Sequence, residues 1–68
     1  MDMIPVESSN VASIGYANGV IEVHFRNGYE YQYSGTSKAL FDEFLNAPSK
    51  GRFVHQRLKD KFMTVRIR

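Results

Sequence analysis

Apolar and polar residues alternate through the first half of the chain and switch to a helical spacing in the second. From Asn10 to Tyr33 the alternation predicts three short strands and two tight turns. Ala12, Ile14 and Tyr16 alternate with Ser13 and Gly15, and Asn18-Gly19 then supplies a two-residue hairpin turn in which both positions accept positive φ. Setting Ala17 opposite Val20 places Tyr16 across from Ile21, Ile14 across from Val23 and Ala12 across from Phe25, which gives one apolar face. The second turn admits two registers. A two-residue loop at Asn27-Gly28 would set Tyr31 opposite His24 and Tyr33 opposite Glu22, leaving an exposed aromatic platform. A three-residue loop of Arg26-Asn27-Gly28, with Gly28 left-handed in a bulge, sets Phe25 opposite Tyr29, Val23 opposite Tyr31 and Ile21 opposite Tyr33. The second is favoured, because a one-residue slip would forfeit the burial of several large side chains.

After Ser34-Gly35-Thr36 the period becomes that of an amphipathic helix. Leu40, Phe41, Phe44 and Leu45 fall on one side, and Lys38, Asp42, Glu43 and Asn46 on the other. Pro48 ends this helix and Ser49 caps a second, predicted to run to about Lys61 with Val54, Leu58 and Phe62 facing inward. In the tail, Met63, Val65 and Ile67 alternate with Thr64, Arg66 and Arg68, as in a half-buried strand that rejoins the sheet or pairs with a second copy. The expected fold is α+β: a small antiparallel β-meander with two helices on one face and a carboxyl-terminal strand, all in one domain spanning residues 1–68.

Composition narrows the chemistry. A chain of 68 residues surrounds one core, buries about 60% of its unfolded surface and gains about 3–5 kcal/mol from that core, so self-association is a natural source of further stability. The absence of cysteine excludes disulfides, thiolate zinc sites and cysteine nucleophiles. No apolar run is long enough to span a bilayer, so no membrane partner is expected and the location read from the sequence is cytoplasmic. Net charge is only +2, but it is polarised: residues 1–49 carry two basic and six acidic groups, and residues 50–68 carry seven basic and one acidic. Lys50, Arg52, Arg57, Lys59, Lys61, Arg66 and Arg68 therefore set up a field that attracts phosphate, or else they line a solvated helix and a charged edge strand.

Three features match the residues of a known family. Phe25-x-x-Gly28-x-x-Tyr31-x-Tyr33, the Leu40 to Ala47 helix and Ser49-Lys50-Gly51-x-Phe53 together resemble the KTSC domain, and Val6-Glu-Ser-Ser-Asn and Ile14-Gly15-Tyr16 are similar to its opening. The resemblance covers residues 6 to 62. The family is named for its occurrence at the carboxyl end of some lysyl-tRNA synthetases and is found as free-standing small proteins in bacteria and phages. The family has no established general activity, and what the resemblance implies is the RNA-binding role suggested for it. His55 stands where the family often has asparagine, and Met63 to Arg68 extend beyond the resembling part.

No converging catalytic set emerges from the residues. His24 and His55 lie in different elements without ligand-like spacing, so no metal and no cofactor is expected. Ser8, Ser9 and Ser13 lack a nucleophile-elbow context, and the adjacent Asp42 and Glu43 diverge by about 100° around their helix. The expected function is a non-catalytic module that binds RNA or a phosphorylated nucleotide ligand. Its candidate residues are Lys50, Gly51 and Arg52, whose amides follow the Ser49 cap, with His55, Lys59, Arg66 and Arg68 supplying charge and Tyr16 and Tyr29 supplying rings for stacking. The alternatives are a homo-oligomer, phage-borne in that reading, that sequesters a small nucleotide signal between subunits, and a protein-interaction adaptor that uses the terminal strand.

Overall fold

The computed structural model describes residues 1–68. Five strands form one antiparallel sheet in which spatial order equals chain order: β1 (Met3–Pro5), β2 (Val11–Ala17), β3 (Val20–Phe25), β4 (Glu30–Ser34) and β5 (Met63–Arg66). Between β4 and β5 run α1 (Lys38–Asn46), α2 (Lys50–Phe53) and a wider π-type segment, Val54–Leu58. No helix is long and apolar enough to cross a membrane.

Both turns form for the reasons the residues suggest. Asn18 and Gly19 take φ of 50° and 79°, and Ala17 pairs with Val20 as the hairpin requires. At the second turn Gly28 has φ 96°, Phe25 N–H donates to the Tyr29 carbonyl, and Ile21 pairs with Tyr33 and Val23 with Tyr31. The three-residue loop is the one that forms, and the tyrosines lie on the helix-covered face. Ala12, however, does not face Phe25. A register shift between Val11 and Ser13 sets Val11 opposite Phe25, and Val11 is fully buried as a result. A bulge exchanges the small alanine for the larger apolar side chain in the core. Strand β1, which pairs Met3 with Gly15 and Ile4 with Ile14, adds an outer edge that the alternation alone did not predict.

The core lies between one sheet face and the helices. Ile14, Ile21, Val23 and Tyr33 from the sheet meet Phe41, Phe44, Phe53, Val54 and Leu58, and the Phe44 and Phe53 rings stack at 4.7 Å. Ser37 and Ser49 cap α1 and α2 by accepting the Leu40 and Arg52 amides. The second helical stretch ends at Leu58, short of Lys61. The Lys59 amide bonds to the Val54 carbonyl five residues back, Lys59 is extended and Asp60 is left-handed at φ 62°. This early exit aims the chain back at the sheet edge. Phe62 consequently packs on the core from outside any helix.

The tail pairs within its own chain, with Tyr31 opposite Arg66 and Tyr33 opposite Thr64. Because paired residues share a face, Thr64 and Arg66 lie on the helix side while Met63, Val65 and Ile67 lie on the outer face. They are 74%, 50% and 45% exposed, so the expected half-buried strand is corrected: its apolar stripe faces away from the core, where no second layer covers it.

Candidate functional site

The carboxyl-terminal exit from the second helical stretch opens a cavity of about 340 Å³ against the sheet, lined by Phe25, Tyr31, Tyr33, Val54, Lys59, Asp60 and Thr64. Its floor is an aromatic ladder. Phe25 meets Tyr31 edge-on at 5.7 Å, Tyr31 stacks over Tyr33 at 6.5 Å, and Tyr29 meets Tyr31 edge-on at 6.5 Å. Antiparallel pairing builds this row, since alternate residues of β4 share a face and Phe25 closes β3 beside them. Lys59 stands on the rim because the chain leaves helical geometry there. Arg66, directly across from Tyr31, lays its guanidinium 4.8 Å from the Tyr29 ring centroid. Burial, reinforced by the neighbouring Tyr31, raises the Tyr33 phenol above its ordinary 10.0, so it stays a neutral hydroxyl.

The sequence-derived candidates separate into distinct places. Lys59, Arg66 and Tyr29 gather at this cavity and its margin. Arg68 reaches the same edge, where its backbone exchanges hydrogen bonds with Glu30. Arg52 instead lines a shallow cleft with Pro48, Gln56 and Arg57 at the junction of the helices. Arg57 spends its charge on Glu43 at 3.2 Å and its guanidinium on the Phe53 ring at 5.2 Å. Lys50 donates its ammonium to the Ala47 carbonyl at 2.5 Å. Of the amides after Ser49, that of Arg52 donates to the Ser49 hydroxyl as the cap, and Asn10 Nδ2 stands 3.2 Å from where a Cβ on Gly51 would lie. His55 is exposed one turn beyond Arg52, while Lys59, extended after the π-type segment, turns away from both to the aromatic cavity. Tyr16 is also removed from the cavity. Its ring stacks on Phe41 at 5.7 Å and its hydroxyl accepts the Gly19 amide, so it secures the hairpin.

The opposite face of the sheet carries a polar group that a search for helical His-x-x-x-His spacing overlooks. Glu22 and His24 sit two residues apart on β3, and Glu30 lies across from His24 on β4. His24 Nε2 donates to Glu22 Oε2 at 2.5 Å and stands 3.5 Å from Glu30 Oε1, while Gln32 donates to Glu22 Oε1 at 2.8 Å. Burial opposes ionisation of Glu22, but the hydrogen bonds from Gln32 and His24 and the attraction of His24 outweigh it and hold the carboxyl below its ordinary 4.5. The signal that finds this group is the strand register, which brings position 30 to position 24.

Comparison with known proteins agrees with this architecture. The family model described as the KTSC domain matches residues 7–62. A KTSC domain protein from Yersinia pestis, known from its crystal structure, is 40% identical, superposes with a TM-score of 0.91 and is covered over 97% of its length by 98% of this chain. A protein from Tsukamurella paurometabola is 37% identical over 67 residues, covering 96% of this chain and 100% of that one. With the motifs, the sheet and nearly the full length in agreement, the chain belongs to the KTSC domain family.

Proposed function

We propose that this chain is a non-catalytic binding module for RNA or another phosphorylated nucleotide ligand, acting through the aromatic cavity at the β4–β5 end of the sheet. The observation that carries the reading is the meeting of an aromatic floor, Phe25, Tyr31 and Tyr33, with two cations, Lys59 on the rim and Arg66 beside Tyr29. A base stacked on a ring contributes about 1–3 kcal/mol, and lysine or arginine neutralises the attached phosphate. That the chain is a free-standing form of the domain type carried at the carboxyl end of some lysyl-tRNA synthetases belongs to the same proposal.

The test is fluorescence or calorimetric titration with a single-stranded oligoribonucleotide and, separately, with mononucleotides. Joint replacement of Lys59→Glu and Arg66→Glu is expected to lower affinity by about tenfold or more, and binding of the extended strand is expected to weaken with salt by about one unit of log-log slope per phosphate neutralised. Unchanged affinity in the double variant, or no binding to either probe, overturns the proposal. A preference for mononucleotides at a fixed fraction of a site per subunit would favour a sequestering oligomer instead. That second reading draws on the uncovered edge strand β5, whose exposed Met63, Val65 and Ile67 offer a surface for a second copy.

A further inference from the structure

Glu22, His24 and Glu30 stand on the sheet face turned away from the aromatic cavity, so whatever they do is independent of the nucleotide reading. One donor atom from each lies within 4.8 Å of the other two. All three side chains are largely covered, at 14%, 26% and 24% exposure, and rise from neighbouring strands in the middle of the sheet. Their anchoring backbone is a continuous ladder, since Glu22 pairs with Gln32 and His24 with Glu30. No lysine or arginine pairs with either carboxylate: both face the His24 imidazole, and Glu22 also accepts from Gln32 and feels the attraction of the amino-terminal ammonium.

We infer that Glu22, His24 and Glu30 form a binding site for a divalent metal ion of the zinc class, with Gln32 holding the Glu22 carboxylate in place. One imidazole nitrogen and two carboxylate oxygens are a donor set that suits zinc, whereas magnesium and calcium prefer oxygen alone. Around a tetrahedral zinc with bonds of about 2.0–2.2 Å, ligand atoms stand about 3.3 Å apart. The His24 to Glu30 separation of 3.5 Å already meets this distance. The Glu22 to His24 contact of 2.5 Å is a hydrogen bond, and an ion takes the place of its proton. Coordination uses the Nε2 lone pair, so that proton passes to Nδ1 or to solvent, and the Glu22 oxygen moves outward by less than about 1 Å to clear the ion. Gln32 keeps the other Glu22 oxygen fixed during this change, as outer-shell partners of metal ligands do. The fourth position faces the uncovered side of the sheet and is open to water or an external ligand.

The experiment is calorimetric titration of zinc chloride into the metal-stripped full-length chain, followed by the same titration monitored by NMR. One zinc per chain is expected at concentrations below about 100 μM, with magnesium at millimolar levels failing to compete. His24→Gln and Glu30→Gln are each expected to weaken binding at least about tenfold, while Asp42→Asn, a change in the surface pair with Lys38, leaves it unaltered. In the wild-type protein the imidazole resonances of His24 and the amides of residues 22–24 and 30–32 should move first, a readout that needs no variant to fold. Absence of binding overturns the inference. So does binding that survives both replacements, or chemical-shift changes centred on His55 or Asp60 instead.

Discussion

The two faces of the sheet are built from the same five strands and obey opposite rules. The face under the helices is apolar, closed and dominated by rings: Ile21, Val23 and Tyr33 are buried against Phe41, Phe44, Phe53 and Leu58. The other face has no second layer. It holds a bonded polar row, Glu22, His24, Glu30 and Gln32, between an exposed apolar stripe on β5 and the amino-terminal strand that folds over Gly15. In so small a protein only one face of the sheet can be covered, so stability is concentrated there and the uncovered face is free to carry polar chemistry.

The largest test of this contrast is Phe44→Ala. Phe44 is fully buried and stacked on Phe53, and its truncation is expected to cost about 3–5 kcal/mol, comparable with the whole contribution of so small a core. Circular dichroism during thermal denaturation should show a chain that is largely unfolded at room temperature. A cooperative melt close to that of the wild type would mean that the helices are not the main support of the sheet.

Gly15→Ala probes a closely packed spot on the uncovered face. A Cβ there would lie 2.6 Å from the Met3 sulfur and 2.9 Å from the Asp2 carbonyl, and the second contact is backbone. Strand β1 must shift, at an expected cost of about 1–3 kcal/mol by urea denaturation, with amide exchange rising in residues 3–5 and 13–15. Loss of protection in the helices instead would show that the two faces are coupled more tightly than their contacts indicate.

The polar row makes a pH-dependent contribution of calculable sign. The folded-state Glu22 carboxyl ionises below its ordinary 4.5, so the folded form favours the charged carboxylate more than the unfolded chain does. This stability is present above pH 4.5 and is lost as pH falls through the lowered value. Glu22→Gln should therefore flatten the acid limb of a plot of unfolding free energy against pH, measured by urea titration at successive pH values. An acid limb identical to that of the wild type would assign acid sensitivity to other carboxylates.

Val65→Thr should have the smallest effect. Val65 is half exposed on the outer side of an edge strand, and threonine keeps the β-branched shape, so the change is expected to stay within about 0.5 kcal/mol of zero. A larger loss, with wild-type stability rising with protein concentration and the variant's not, would reveal a second copy seated on β5, and the uncovered face would then be an interface.

Much of this molecule is legible in its residues, and the reasons differ by element. The Asn18-Gly19 and Asn27-Gly28 turns could be placed because their left-handed positions suit few residues, and once they are placed, the burial of Tyr31 and Tyr33 leaves one register for β3 and β4. Helix α1 follows from its apolar spacing, and the structure adds the Ser37 cap at its start. That register also determines that Glu30 meets His24, so the cluster of Glu22, His24 and Glu30 was within reach of the sequence, although spacing along the chain passes over it.

Other features belong to the assembled fold. The bulge that buries Val11 in place of Ala12 and the early end of the second helical stretch at Leu58 satisfy the shape of the core, which no local pattern encodes. The division of the carboxyl-terminal cations follows from that exit, which sends Lys59 and Arg66 to the aromatic cavity and leaves Arg52 at the helix junction. The tail shows the limit most clearly. Its alternation established that Met63, Val65 and Ile67 share one face of a strand, but whether that face meets helices or solvent depends on which side of β4 the pairing presents, and only the packed chain decides it.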